Sequence, residues 1–231
     1  MNETIIRPVA VYRGDLPEKF GLPRQAGVVP ELEGLVVFAP EFRNPDALRG
    51  LEGFSHIWLI WQFSESLQTG FSPTVRPPRL GGNTRMGVFA TRSPFRPNGL
   101  GLSCVELAGI EEREGLGTVL RVRGADLKDG TPVFDVKPYV PYADAHPEAL
   151  AGFAPDPGAT LTVDFPPEKL ALIPAGKREA LRGVLANDPR PRYQKDPERV
   201  YTLSFAGHEV SFTVREAALT VTDVRPSGES A

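Results

Sequence analysis

Five arginines, Arg76, Arg79, Arg85, Arg92 and Arg96, stand in a run of forty residues, Ser66 to Val105, that contains no Asp, Glu or Lys. A guanidinium forks onto phosphate or carboxylate oxygens and stacks on flat rings, so this choice of cation points to an anionic or aromatic ligand. Pro73, Pro77, Pro78, Pro94 and Pro97 stiffen the run, and Gly81, Gly82, Gly99 and Gly101 let backbone come close to a ligand. The whole chain has 26 basic and 29 acidic side chains over 231 residues, for a net charge of −3. The positive field is therefore local, which excludes a protein that coats nucleic acid by bulk charge. "FATRSPFRPNGLGLS" (89–103) is its densest part, with Arg92, Arg96 and Asn98 as the candidates for chemistry. The plain alternative is an exposed loop whose arginines pair with acids elsewhere.

Two further islands carry polar chemistry. In "DLKDGTPVFDVKPYVPYADA" (126–145), Asp126, Asp129, Asp135 and Asp144 interleave with Lys128, Lys137, Tyr139 and Tyr142. Residues two apart on a strand share a face, which puts Asp135 beside Lys137. The island reads either as surface ion pairs or as a pocket wall for a cationic or ribose-bearing ligand. "NDPRPRYQKD" (187–196) offers Arg190, Arg192 and Tyr193 as a phosphate-contacting loop, or else as a solvated connector.

Other motifs weaken on inspection. "GLGLS" lacks the third glycine of a dinucleotide loop and leads into a strand pattern where a phosphate-binding helix is needed. Cys104, the one cysteine, lies in an apolar alternating run and reads as a core thiol. With one cysteine and three scattered histidines, neither a disulfide nor a metal site is expected. No signal-peptide core opens the chain and its longest apolar run is too short for a bilayer, so a cytoplasmic protein with no membrane partner is expected.

The elements that must position these residues are strands. "TIIRPVAVY", "GLVVFA", "HIWLIWQF", "MGVFAT", "LSCVELAGI", "TVLRVRG" and "VFDVKPYV" are short apolar or alternating runs bounded by Gly, Pro, Asp or Asn. Long amphipathic helices do not alternate with them, which excludes a doubly wound nucleotide-binding fold. A mainly β chain follows, with an antiparallel barrel or sandwich over 1–150. The Ala-, Pro- and Gly-rich "AHPEALAGFAPDPGA" (145–159) reads as a linker. A smaller α+β unit over 158–231 follows it, with a strand in "LTVDF", a helix from Pro174 through "GKREALRGVLA" and a three-strand meander turning at "AGHE".

These islands, with "PRQAG" (23–27) and "RGLEGFSHIWLIW" (49–61), together resemble the TsaA-like, TrmO-type tRNA (adenine-N6)-methyltransferases. The resemblance spans nearly the whole chain, and "RPPRLGGN…FATRSPFRPN" is its most specific block. It implies an S-adenosylmethionine-binding β-barrel outside the Rossmann class. It also implies a homodimer that methylates N6 of t6A at position 37, in the anticodon loop of threonine tRNA, to form m6t6A. Carried over by position, cofactor contacts fall on Pro23, Arg24, Gln25, Ser64, Glu65, Arg92, Leu102, Gly124, Ala125 and Asp126. On the same premise Arg92, Arg96 and Asn98 shape the place where cofactor and base meet, and Arg76, Arg79, Arg85, Arg190, Arg192 and Tyr193 hold the tRNA. The chain departs from the family's usual residues at Ser64-Glu65 (often His-Gln), at Asn98-Gly99-Leu100-Gly101 (often Asn-Pro-Ile-Gly) and at Pro94 (often Thr). A non-catalytic RNA-binding module is the competing reading. A hydrolase of a phosphorylated small molecule is a third, and it lacks a nucleophile–base pair or metal cluster.

Overall fold

The structure is a computed structural model that describes residues 4–66, 72–191 and 196–228. Six strands, all antiparallel, build the first sheet: β1 (Ala10–Gly14), β2 (Glu33–Phe38), β3 (His56–Gln62), β6 (Leu100–Arg113), β7 (Gly117–Arg123) and β8 (Pro132–Pro138). They pair in the order β1-β2-β7-β6-β3-β8, and β8 returns to β1 with Ala10 opposite Val133, so the sheet closes into a barrel. Closure pairs the edges, which an open sheet would leave exposed.

Alternation sets the faces. Ile57, Leu59 and Trp61 of β3 and Val105 of β6 point into an apolar interior shared with Ala10, Tyr12, Val36, Leu120, Val122 and Val133. Gly101 stands opposite Trp61, and a Cβ there would lie 2.3 Å from the indole. Gly101 of "GLGLS" is thus required by a neighbouring ring. Cys104 falls on the outward alternation opposite Trp58 and is half-buried, so it is not the core thiol expected from the apolar run. "MGVFAT" also differs from expectation. Only β5 (Met86–Gly87) is extended, paired with β4 (Thr74–Val75), and Val88–Ala90 forms a 3-10 turn. The closed barrel offers this segment no edge to join.

The second sheet runs β10-β11-β12-β9, from the meander β10 (Tyr201–Phe205), β11 (His208–Arg215) and β12 (Ala218–Pro226), with β9 (Thr162–Asp164) added parallel to β12. Ala206 and Gly207, both at positive φ, make the tight turn between β10 and β11. Of the helical turns, α1 (Pro141–Asp144) and α2 (Pro167–Leu170) are single turns, and α3 (Arg178–Ala186) buries Ala180, Leu181, Val184 and Leu185 along one face. Pro174 precedes a 3-10 turn, Ala175–Lys177, and α3 follows it. No helix or strand lies between Asp144 and Thr162. Among the described residues, no helix is long and apolar enough to cross a membrane.

The β1–β2 connection joins the two sheets. Its Leu16, Val29 and Leu32 belong to the second core, beside Leu181, Leu203 and Phe212. Asp15 receives Lys177 at 2.6 Å and the backbone N–H of Ala206 at 2.8 Å. This long connection therefore has its apolar side chains in one sheet's core and its ends in the other's strands.

Candidate functional site

A cavity of about 490 Å³ opens where the β1–β2 connection, the arginine-rich run and one end of the barrel meet. That volume suits a cofactor-sized ligand. Its floor is barrel: Trp58, Trp61 and Gln62 of β3, and Leu100, Gly101 and Leu102 of β6. One side is Lys19, Leu22, Pro23, Arg24 and Gln25, and another is Thr91, Arg92 and Arg96. Phe63 to Ser66, with Asp126, Lys128 and Thr131, complete the ring.

Each wall is held by identifiable contacts. Gly124 has φ +72°, and its N–H and C=O bond Leu32 and Gly27 at 2.8 Å each. A Cβ on it would press to 3.3 Å on the Gly27 backbone. This latch carries Gln25 and Asp126 to the same rim. Gly124 and the buried Ala125 stand behind the wall and do not line it. The Ser64–Ser66 turn is clamped from two sides: Glu65 accepts an ion pair from Lys128, and Ser66 Oγ accepts from Lys19 Nζ at 3.0 Å. Arg92 donates to the Gln25 Oε1, which ties the arginine run to the opposite wall. Arg96 turns inward. Its Nη1 donates to the carbonyls of Thr91 (2.5 Å) and Val88 (3.3 Å), and its guanidinium lies 5.9 Å from the Phe89 ring centre. Arg96 thus shapes the loop that presents Arg92.

Among the described residues, Asp126 is the cavity carboxylate that forms no salt bridge, whereas Glu65 pairs with Lys128. Burial pushes its carboxyl above the usual carboxylate range, opposed by a hydrogen bond from Ser103 and by the Arg92 charge. A cation or hydroxyl donor bound beside it would relieve that burden.

Of the residues expected at the site, the cavity gathers Pro23, Arg24, Gln25, Ser64, Glu65, Arg92, Arg96, Leu102 and Asp126. Asn98 is exposed and does not line it. Arg76 is exposed, and Arg85, also exposed, donates to Thr74 Oγ1 at 3.0 Å; neither lines the cavity. Arg79 instead reaches the Asp156 carbonyl and carboxylate in the linker. Arg190 forks onto Asp188 at 2.8 and 3.0 Å with 12% of its side chain exposed, which uses the guanidinium that was expected to meet phosphate. Arg192 and Tyr193 lie outside the described residues. In the 126–145 island only Asp126, Lys128 and Thr131 reach the cavity. Asp135 pairs with Lys137 at 3.2 Å, Asp129 holds the Gly14 N–H, and Asp144 accepts from Trp58 Nε1 and from the Val140 N–H. Sequence reasoning missed Trp58, Trp61 and Lys19, which line the cavity, and Ser103, which bonds Asp126 from behind it. Both tryptophans looked like strand core, and nothing local marks a serine in an apolar run as a ligand-site residue. Among the described residues no cluster of metal ligands forms.

A family model described as the tRNA-methyltransferase O N-terminal domain matches residues 11–145, and one described as the TrmO C-terminal domain matches residues 159–227. The chain is similar to an Escherichia coli (strain K12) protein named tRNA (adenine(37)-N6)-methyltransferase, 42% identical over 98% of this chain and 100% of that protein. It is also similar to a Pseudomonas aeruginosa protein, RcsF, whose name classes it among S-adenosylmethionine-dependent methyltransferases, 43% identical over 85% of this chain and 86% of that one. The crystal structure of TrmO from Pseudomonas aeruginosa superposes with a TM-score of 0.79 at 34% identity, over 97% of this chain and 99% of that one.

Proposed function

The chain belongs to the tRNA-methyltransferase O family, and on that premise we propose that its cavity binds S-adenosylmethionine and methylates N6 of the t6A at position 37 of threonine tRNA. The enzyme class is that of the relatives, an S-adenosylmethionine-dependent tRNA (adenine-N6)-methyltransferase. The choice of t6A and of threonine tRNA, assembly as a homodimer and action in the cytoplasm are the finer parts of the proposal. So are a methyltransferase unit over 1–150 and a tRNA-contacting unit over 158–231.

The donor set fits this cofactor. Trp61 and Phe63 meet edge to face at 4.3 Å and, with Leu100 and Leu102, offer apolar and aromatic wall for a purine and an alkyl stem. Asp126 offers a carboxylate to an ammonium or ribose hydroxyl, and Arg92 and Arg24 offer cations to a carboxylate. When bound, the cofactor supplies an electrophilic methyl on a sulfonium.

The residues then act by placement. Transfer from sulfonium to a nitrogen is an in-line displacement that destroys charge, so orientation and exclusion of water supply most of the acceleration. Gln25 and Arg92, joined across the rim, narrow the entrance over the barrel floor. Arg96 fixes the 88–96 loop so that Arg92 and Thr91 face the cavity. Arg76 and Arg85 offer charges to anticodon-loop phosphates, and the exposed rings of Phe89 and Phe95 offer flat surfaces to an unstacked base. The N6 proton leaves to water or to a base supplied with the substrate complex.

The observation that carries this reading is the meeting, in one cavity, of the half-buried Asp126 carboxylate with Arg92 and Arg96 of the acid-free run. The test is nucleoside mass spectrometry of t6A-containing threonine tRNA incubated with the purified chain and S-adenosylmethionine. A methylated t6A is expected, and none from tRNA that lacks the threonylcarbamoyl group. Unmodified t6A after exhaustive incubation overturns the proposal.

A further inference from the structure

Ser103 is the most deeply buried polar side chain among the described residues, at 2% exposure. It sits on the inward alternation of β6, between Gly101 and Val105, where an apolar residue would satisfy the core. A hydroxyl in that position is unfavourable unless it is fully bonded. It is bonded twice. Trp61 Nε1 donates to Ser103 Oγ at 2.9 Å, and Ser103 Oγ donates to Asp126 Oδ1 at 2.5 Å. An indole N–H can only donate, so the serine must accept there and turn its one proton to Asp126. The directions along this chain are therefore fixed, and it ends on the carboxylate that faces the cavity. Gly101 is what admits the indole to its place in the chain.

We propose that Trp61 and Ser103 are positioning residues that hold the Asp126 carboxylate in one orientation, to accept from a donor group of the bound cofactor. The inference rests on S-adenosylmethionine occupying this cavity. A carboxylate free to rotate would present its lone pairs to several directions, and orienting it is part of the work of binding. The fixed hydroxyl, together with backbone hydrogen bonds from Ala26 and from Asp126 itself, removes that freedom before the ligand arrives. It also favours the charged form against the burial that opposes it. Among the described residues, Arg92 from the 91–96 loop and Tyr12 from β1 act on this carboxylate by charge, and Lys19 and Arg24 from the β1–β2 connection, Arg96 from the same loop as Arg92, Lys128 and Glu65 from the 64–66 turn line the same cavity.

The experiment is calorimetric titration of the full chain with S-adenosylmethionine between neutral and acid pH. Ser103→Cys keeps the volume and loses the strong donor. It is expected to weaken binding by roughly tenfold or more, and to move the acid limb of the affinity profile to higher pH, because Asp126 then protonates more readily. Ser103→Thr keeps the hydroxyl and is expected to restore both. Trp61→Phe frees the hydroxyl to rotate and is expected to show a smaller loss in the same direction. Asp126→Asn is expected to flatten the acid limb. Because burial raises the Asp126 pKa, the stability linked to it is full below its unfolded pKa and is lost as pH rises through the folded value. Asp126→Asn is therefore expected to melt no lower than the parent at neutral pH, which separates lost binding from lost folding. If Ser103→Cys matches the parent in affinity and acid limb while Asp126→Asn loses both, Ser103 and Trp61 position nothing, though the cofactor assignment stands. If the parent itself fails to bind S-adenosylmethionine, that assignment falls and this inference with it.

Discussion

Two groups of arginines face opposite fates. Arg121 and Arg123, on the outer face of β7, are enclosed by carboxylates. Arg121 meets Glu111 at 2.6 Å and Glu33 at 3.3 Å, and Arg123 meets Glu33 at 2.8 Å and Glu106 at 3.7 Å. The hydrogen bond from Arg123 holds Glu33 below the usual carboxylate range. In the acid-free run, Arg92, Arg96 and Arg85 meet an amide, two backbone carbonyls and a hydroxyl. A neutral acceptor aims a guanidinium without cancelling its charge, whereas a carboxylate does both. The strand arginines are tied into ion pairs, whereas these three loop arginines are aimed by neutral partners, as the proposed ligand contacts require. Arg79, paired with Asp156, is the exception within the run.

The sharpest way to break this contrast is to truncate one member of each group. Arg92→Ala is expected to lower kcat/KM for methyl transfer by about 100-fold or more, with an unchanged melting temperature. Near-parental turnover would show that the aimed charge is not used. A smaller effect should follow from Arg76→Ala combined with Arg85→Ala. The slope of log affinity for tRNA against log salt is expected to flatten by about 1.5, as two phosphate contacts are lost, while S-adenosylmethionine affinity holds. An equal loss of both affinities would merge two roles that the comparison separates. The smallest effect belongs to the strand group. Arg121→Ala and Glu33→Gln are expected to leave methylation intact and to destabilise by about 1 kcal/mol or less, because more than a third of the Glu33 side chain faces water and is screened. Glu33 has a lowered pKa, so its contribution is present above the unfolded value and lost as pH falls through the folded one. The gap between Glu33→Gln and the parent should therefore close in acid, as read by urea unfolding at two pH values.

Much of this was legible in the order of residues. Short alternating or wholly apolar runs bounded by turn residues marked β2, β3, β6, β7 and β8. The lack of acids between Ser66 and Val105 marked the charged wall. What misled was local likeness. "MGVFAT" reads as a strand, but only Met86–Gly87 pair, with Thr74–Val75 outside the barrel, and Cys104 sits in an apolar run yet on its outward side. Arg190 looked like a phosphate contact because the sequence does not show that Asp188, two residues earlier at φ +49°, turns back to meet it. Ser103 was invisible for a similar reason. Its meaning lies in Trp61, 42 residues away, and Asp126, 23 residues away.

The amino-acid order by itself determined which residues carry charge, which faces are apolar, and that the arginine run holds no acid to neutralise it. Those are properties of composition and spacing, set before any long-range contact forms. Only the tertiary structure decided which charges remain available. An ion pair depends on distance, and distance between residues far apart in sequence is set by barrel closure and by the β1–β2 connection, which seats Leu16, Val29 and Leu32 in the second core. By bringing Gln25 to Arg92 and Ser103 to Asp126, that packing joined two walls of one cavity at its rim and set a serine behind the carboxylate that lines it.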